Sequence, residues 1–184
     1  MKRRVILNKN GILVATDKWV TKDGKLFGIH GKKNKRCSDH NNSNRGYISN
    51  YCYGSYIARH KLVADRFCVN PRPGYFKYTD HIDGNEQNNH ADNLRHVSNQ
   101  LNALNRISKP CKARHGRSKP FRAQIQFCYK YAHLGYFKTD REARHIMDKI
   151  RQELFDKLYD YETRPMCYRE PKYWKISKYG VDVI

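Results

Sequence analysis

The 184-residue sequence predicts an α+β protein: a β-rich basic amino-terminal region, a central strand-strand-helix core, and a carboxy-terminal small sheet backed by one helix. Three observations predict it. Short β-prone runs divided by turn residues fill the first 45 positions. Between residues 75 and 105 the order is aromatic strand, Asp83-Gly84-Asn85 turn, polar loop, second short strand and capped helical segment. From Phe121 a strictly alternating strand leads to a second strand and a long apolar stripe of helical period.

In the amino-terminal region, residues 1–44, strands are expected at Val5-Ile6-Leu7, Gly11-Ile12-Leu13-Val14-Ala15 and Lys25-Leu26-Phe27-Gly28-Ile29, with turns at Asn8-Lys9-Asn10 and Lys22-Asp23-Gly24. The run Lys32-Lys33-Asn34-Lys35-Arg36 reads as a polar loop, with Lys32, Lys33, Lys35 and Arg36 as phosphate contacts rather than merely solvated charges. The central segment, 45–108, opens with a strand at Tyr47-Ile48-Ser49 and a helix over 58–67, followed by Asn70-Pro71. Tyr75-Phe76-Lys77-Tyr78-Thr79 is aromatic and β-prone, and a loop through Asn88, Asn89 and His90 leads to a short strand at Leu94-Arg95-His96-Val97. Ser98 then caps a helix that buries Leu101 and Leu104 and carries Asn102 and Asn105 on one face.

Residues 107–118, rich in Lys, Arg and Gly and containing Pro110, form a connector into the segment 109–162. Phe121, Ala123, Ile125 and Phe127 share one face of a strand, and Arg122, Gln124 and Gln126 share the other. A second strand, 129–135, turns Ala132 and Leu134 inward and Tyr131 and His133 to the opposite face. Thr139-Asp140-Arg141-Glu142 is a capping box. Ala143, Ile146, Met147, Ile150, Leu154 and Leu158 are the stripe of a helix to about residue 159. The tail, 163–184, sets Tyr168, Tyr173, Trp174 and Tyr179 among basic residues, to pack across a domain or lie along a groove.

The chemistry concentrates between Asp80 and Asn105. Hydrolysing a phosphodiester with water needs a base for the nucleophile and a divalent cation on the scissile phosphate and leaving oxygen. A histidine of ordinary pKa, roughly 6.5, is largely neutral near pH 7 and accepts a proton. His81 fits that role. Asp80 and the side-chain carbonyl of Asn102 are the hard oxygen donors that Mg²⁺ prefers. Neighbours in a strand point to opposite faces, so Asp80 and His81 can serve different partners.

The ordered set Asp80-His81-Ile82-Asp83-Gly84-Asn85, Asn93-Leu94-Arg95, Asn102 resembles the HNH endonucleases, in the phage and intron-encoded branch where Asp-His replaces a bare His and Asn replaces the final His. Upstream, Tyr47-Ile48-Ser49 and Ala58-Arg59-His60-Lys61-Leu62-Val63-Ala64 are similar to the strand and His-[Arg/Lys]-Leu-Val-Ala helix of that branch. The resemblance implies a ββα-metal fold, His81 as general base, Asn93 as the residue that braces the loop and orients the base, and Asp80 and Asn102 as ligands of Mg²⁺, with Mn²⁺ tolerated. His96 stands where members more often carry a bulky residue such as tryptophan. The paired CxxC zinc motifs of some relatives are missing. Cys37, Cys52, Cys68, Cys111, Cys128 and Cys167 have no ligand-like spacing, so free thiols are expected and zinc is not.

Arg122-Ala123-Gln124-Ile125 and Leu134-Gly135-Tyr136-Phe137-Lys138-Thr139, followed by a helix from Glu142-Ala143, are similar to the AP2 DNA-binding domain. That resemblance implies a three-stranded sheet laid in the major groove. Arg122, Gln124, Gln126, Tyr131 and His133 would contact DNA, with Arg114 and Arg117 near the phosphates.

Charge argues independently for a polyanionic partner. Lys and Arg number 37 against 17 Asp and Glu, a net +20. Residues 1–74 carry +12, 109–162 carry +6 and the tail +3, while 75–108 carry −1. Basic flanks suit a gripped nucleic acid, and an acidic centre suits a cation. No stretch approaches the roughly 20 apolar residues of a membrane span, and Met1-Lys2-Arg3-Arg4 leads only into a short apolar run. A soluble, intracellular protein with no membrane partner is therefore expected, and the resemblance implies the cytoplasm of a bacterial or phage-infected cell.

Together these readings anticipate a Mg²⁺-dependent homing-type DNA endonuclease, a monomer on double-stranded DNA that nicks one strand to leave 5′-phosphate and 3′-hydroxyl ends, with Arg95 steadying the phosphate. The alternative from another class is a non-catalytic, sequence-specific regulator that binds DNA through the AP2-like sheet. An RNA binder shares the charge but does not need Asp80, His81 and Asn102.

Overall fold

The structure is a computed structural model that describes residues 1–9, 12–30, 33–37, 39–41, 47–106, 110–112, 118–128, 130–164 and 174–183. The chain divides into two compact units, Met1–His96 and Val97–Ile184.

The first unit opens with β1 (Lys2–Lys9), β2 (Ile12–Thr21), β3 (Leu26–His30) and β4 (Lys33–Arg36), an antiparallel sheet in sequential order. Thr21, Lys25 and Gly24 close the β2–β3 turn through backbone bonds, and Gly24 has φ +78, a conformation glycine adopts without cost. A second sheet joins β5 (His40–Asn41), β6 (Ile48–Cys52) and β7 (Ser55–Ala58). Helix α1 (Arg59–Phe67) follows and buries Leu62, Val63 and Ala64. These three pack with Val5, Leu7, Val20, Leu26, Cys52, Ala91 and Leu94 into one core. Burial of about ten such side chains is the main stabilising term of this unit, each contributing on the order of 1–3 kcal/mol. Arg59 is 2% exposed; its guanidinium donates to Asn50 Oδ1 and pairs with Asp39, which satisfies the buried charge.

Strand β8 (Tyr78–His81) pairs with β9 (Leu94–Val97), and a single 3-10 turn, Ala91–Asn93, leads into β9. The strand expected over 75–79 thus begins three residues later. Tyr75 and Phe76 instead close a turn onto Arg72 O, and Phe76 is buried as an anchor.

The second unit begins at the end of β9 with α2 (Asn99–Leu104), whose N-cap Ser98 accepts from Leu101 N at 3.3 Å. Strands β10 (Cys111–Lys112), β11 (Phe121–Phe127) and β12 (Lys130–Phe137) form an antiparallel sheet in that order. Helix α3 (Asp140–Thr163) packs on it through Ala143, Met147, Ile150, Leu154, Phe155 and Leu158. The capping box is complete: Glu142 N donates to Thr139 Oγ1 at 3.1 Å and Thr139 N donates to Glu142 Oε2 at 3.4 Å. A hairpin of β13 (Trp174–Ser177) and β14 (Gly180–Val183) ends the described chain, with the Trp174 ring against Phe127 and Tyr161.

One expectation is corrected. The basic run read as a loop is strand β4 from Lys33 to Arg36, because its backbone pairs with β3 from Phe27 to His30. The described part of the tail, for which the sequence indicated no element, is the β13–β14 hairpin.

Candidate active site

Asp80 and His81 end β8, and both are buried, at 7% and 4% exposed. As strand neighbours they meet different partners. Asp80 Oδ2 accepts from Arg95 Nε at 3.1 Å, and Arg95 Nη2 lies 3.1 Å from the same oxygen. Arg95 reaches it from β9, the strand paired with β8.

His81 Nε2 lies 3.3 Å from Asn89 Oδ1. An amide oxygen only accepts, so Nε2 is the donor and carries the ring hydrogen. The amide orientation follows from its other end, since Asn89 Nδ2 donates to Gln87 O at 3.2 Å. The proton-accepting lone pair of His81 is therefore on Nδ1.

The loop that carries Asn89 is fixed by its own side chains. Asp83 Oδ1 accepts from Asn85 N at 2.8 Å and from Asn93 Nδ2 at 2.9 Å, and Asp83 Oδ2 accepts from Asn88 Nδ2 at 2.8 Å. These hydrogen bonds, Asn88 foremost, hold the Asp83 carboxyl below the usual carboxylate range. Asn93 also donates to Asn88 O at 2.9 Å and accepts from Asp83 N at 3.1 Å. It ties the two ends of the loop together, while the side chain that meets the His81 ring nitrogen is Asn89.

The amino-terminal sheet supports the same loop. Ala91 N donates to Lys22 O at 2.8 Å, and Lys22 pairs with Asp92 at 2.7 Å. A Cβ built at Gly24 would lie 2.8 Å from Asn89 O, so the β2–β3 turn touches the loop backbone directly. From the other side, Cys68 Sγ donates to Ala91 O at 3.3 Å and Leu94 O at 3.4 Å. Burial pushes the Cys68 thiol up, which suits a structural donor rather than a thiolate.

Around the His81 ring stand Tyr47, with centroids 6.2 Å apart and planes 24° apart, and His60, at 5.0 Å and 69°. Burial, then the neighbouring His81 and Lys61, hold His60 down to a pKa of about 4. Its Nδ1 is buried with no hydrogen-bond partner among the described residues. The sequence pattern singles out neither Asn89, Tyr47 nor His60 as a site residue. His60 stood in the upstream helix motif, but only pairing in space reveals what it touches.

His90 N-caps the 3-10 turn, its Nδ1 accepting from Asp92 N at 3.3 Å. His96 is buried with Nε2 3.4 Å from Ala64 O. Asn102 lies half-buried in α2, in the second unit, its backbone N donating to Ser98 O at 3.0 Å. Among the described residues no group of three or more His, Cys, Asp and Glu is arranged to hold a metal ion.

On the sheet of the second unit, β11 and β12 set Gln124 opposite His133 and Gln126 opposite Tyr131, and Arg122 opposite Tyr136. Gln126, Tyr131 and His133 are exposed and Arg122 and Gln124 half-buried, while Ala123, Ile125 and Leu134 are buried. Of the basic candidates, Lys33, Lys35 and Arg36 lie in β4, and Lys32, Arg114 and Arg117 fall outside the described residues. Cys37, Cys52, Cys68, Cys111 and Cys128 are free thiols, and Cys167 falls outside the described residues.

No protein-family model matches the chain, and no curated protein does. A solved structure similar to it is described as "DNA binding and cleavage by the HNH homing endonuclease I-HmuI", at 27% identity over 57% of this chain and 56% of that one, with a TM-score of 0.45. The match thus spans little more than half of either chain, and at that TM-score it settles neither fold nor activity. No helix among the described residues is long and apolar enough to cross a membrane.

Proposed function

We propose that the chain is a divalent-metal-dependent DNA endonuclease of the HNH homing type, which hydrolyses a phosphodiester of double-stranded DNA and nicks one strand to 5′-phosphate and 3′-hydroxyl ends. The observation that carries this reading is a buried histidine whose Nε2 lies 3.3 Å from Asn89 Oδ1, beside a buried carboxylate on the same strand. In the proposed reaction His81 Nδ1 takes the proton of the attacking water. Asn89 keeps the opposite nitrogen protonated, so the lone pair stays on the reacting side. Loop bonds among Asp83, Asn88 and Asn93 prevent Asn89 from drifting.

In this proposal Asp80 would supply a carboxylate and Asn102 an amide oxygen, donor types that suit Mg²⁺, which takes few protein ligands and keeps several waters. When bound, such an ion neutralises charge on the phosphate and the leaving 3′ oxygen. Arg95 is paired with Asp80 in the structure, so its role is to orient that carboxylate. Steadying the phosphate requires the guanidinium to share itself with the substrate.

DNA binding is assigned to the basic flanks. The AP2-like reading of β10–β12 and α3 is supported by the outward row of Arg122, Gln124, Gln126, Tyr131 and His133, types that read base edges and stack on them. A monomer acting in the cytoplasm of a bacterial or phage-infected cell completes the proposal.

The test is to incubate the chain with DNA flanking its own gene, in Mg²⁺ or in EDTA. Nicks with ligatable 5′-phosphate ends that disappear with the chelator are expected. Retention of DNA without breaks in Mg²⁺ would overturn the enzyme reading in favour of a DNA-binding regulator.

A further inference from the structure

The upstream strand and helix deliver two rings to His81 that the proposed chemistry does not use. Tyr47, entering β6, and His60, in the first turn of α1, touch each other at 5.0 Å between centroids and each touches His81, closing a triangle of three rings. A histidine χ2 is a broad, nearly two-fold torsion, so covalent geometry leaves the ring plane unfixed. A half-turn would exchange Nδ1 with Cδ2 and Nε2 with Cε1, breaking the bond to Asn89 that fixes the tautomer and turning a carbon towards the water. One neutral hydrogen bond from His81 Nε2 to Asn89 Oδ1 biases the two orientations by only about five- to ten-fold. A stacked partner at 24° and an edge-on partner at 69° restrict the ring in two directions at once.

We infer that Tyr47 and His60 are positioning residues that bracket the imidazole of His81 and hold its plane and tautomer for proton transfer. Their catalytic consequence rests on the nuclease reading; the bracket itself does not. His60 acts here through its ring, because its Nε2 and Nδ1 have no role in the bracket. A phenylalanine there would fill similar space without an unpaired buried nitrogen.

The experiment uses the full chain with ¹⁵N-labelled histidine, unmodified and as His60→Ala, His60→Phe, Tyr47→Ala and Tyr47→Phe, with His81→Gln to assign the ring signals. Long-range imidazole spectra without metal or DNA should show His81 as one Nε2–H tautomer in the unmodified chain. The alanine variants should show averaged tautomers, and the phenylalanine variants should return to the single form. Single-turnover nicking at saturating DNA should fall about 10- to 100-fold in the alanine variants with DNA affinity held, and phenylalanine should restore most of it. Alanine variants with an unaltered His81 spectrum would overturn the bracket, as would phenylalanine variants that lose as much as alanine. Should the unmodified chain make no chelator-sensitive break, the nuclease reading fails while the spectra still decide the bracket.

Discussion

Asn89 is the residue on which the orientation of His81 turns. Its substitution Asn89→Leu keeps the volume and removes the acceptor, so both tautomers become accessible; the nicking rate is expected to fall about 100-fold while DNA affinity, read by titration, stays within a few-fold. His60 adds a stability effect whose sign is fixed. Its folded pKa of about 4 lies below the ordinary 6.5, so the unfolded chain binds the proton more readily. Stability from this group is full above pH 6.5, and is lost as pH falls through about 4. The groups facing it are His81 and Lys61, both of which oppose a second positive charge. Urea unfolding between pH 7 and 4 should show a decline that His60→Phe reduces by a few kcal/mol at the acid end, in order of magnitude; identical pH slopes for the two chains would contradict the assignment. Arg95→Ala strands a buried carboxylate and is expected to cost about 3 kcal/mol of unfolding free energy, most of it recovered in Asp80→Asn/Arg95→Ala.

At the scale of elements, the β2–β3 turn and the site loop behave as one piece. Gly24→Ala meets two obstacles, φ +78 and a contact of 2.8 Å with Asn89 O. The expected result is a loss of about 1–3 kcal/mol in thermal or urea unfolding together with a slower nicking rate. A variant that unfolds earlier but nicks at the original rate would show that the turn does not position the loop. Legibility in the sequence follows the same division between local and long-range causes. Strand β11 and the start of α3 were legible because alternation over 121–127 and the Thr139–Glu142 capping box are local signals, and the structure has both. The N-cap Ser98 was legible for the same reason. Strand β4 was not, because Lys33-Asn34-Lys35-Arg36 has no apolar alternation and is a strand only by pairing with β3. The β13–β14 hairpin was hidden likewise, since Trp174 finds Phe127 and Tyr161 across long sequence separations. At the site, Asp80 and His81 stood out as residue types, whereas Asn89, Tyr47 and His60 matter through contacts that no spacing rule encodes.

For the molecule as a whole, charge sets the terms of association. On the proposed function, a net +20 with a central segment at −1 assigns grip and chemistry to different stretches of chain. If six to ten phosphates are neutralised, DNA affinity should drop about 10³- to 10⁵-fold between 50 and 200 mM salt. A shallow dependence, measured by fluorescence anisotropy across that range, would remove the electrostatic grip from the account. The measurement that tests the central claim most directly is the single-turnover rate of nicking in Mg²⁺ by the unmodified chain and by His81→Ala, each at DNA concentrations shown by binding to be saturating. The account predicts that the substitution lowers the rate about 100- to 10,000-fold and leaves binding intact. Equal rates in the two chains would contradict it, because the breaks would then owe nothing to the imidazole at position 81.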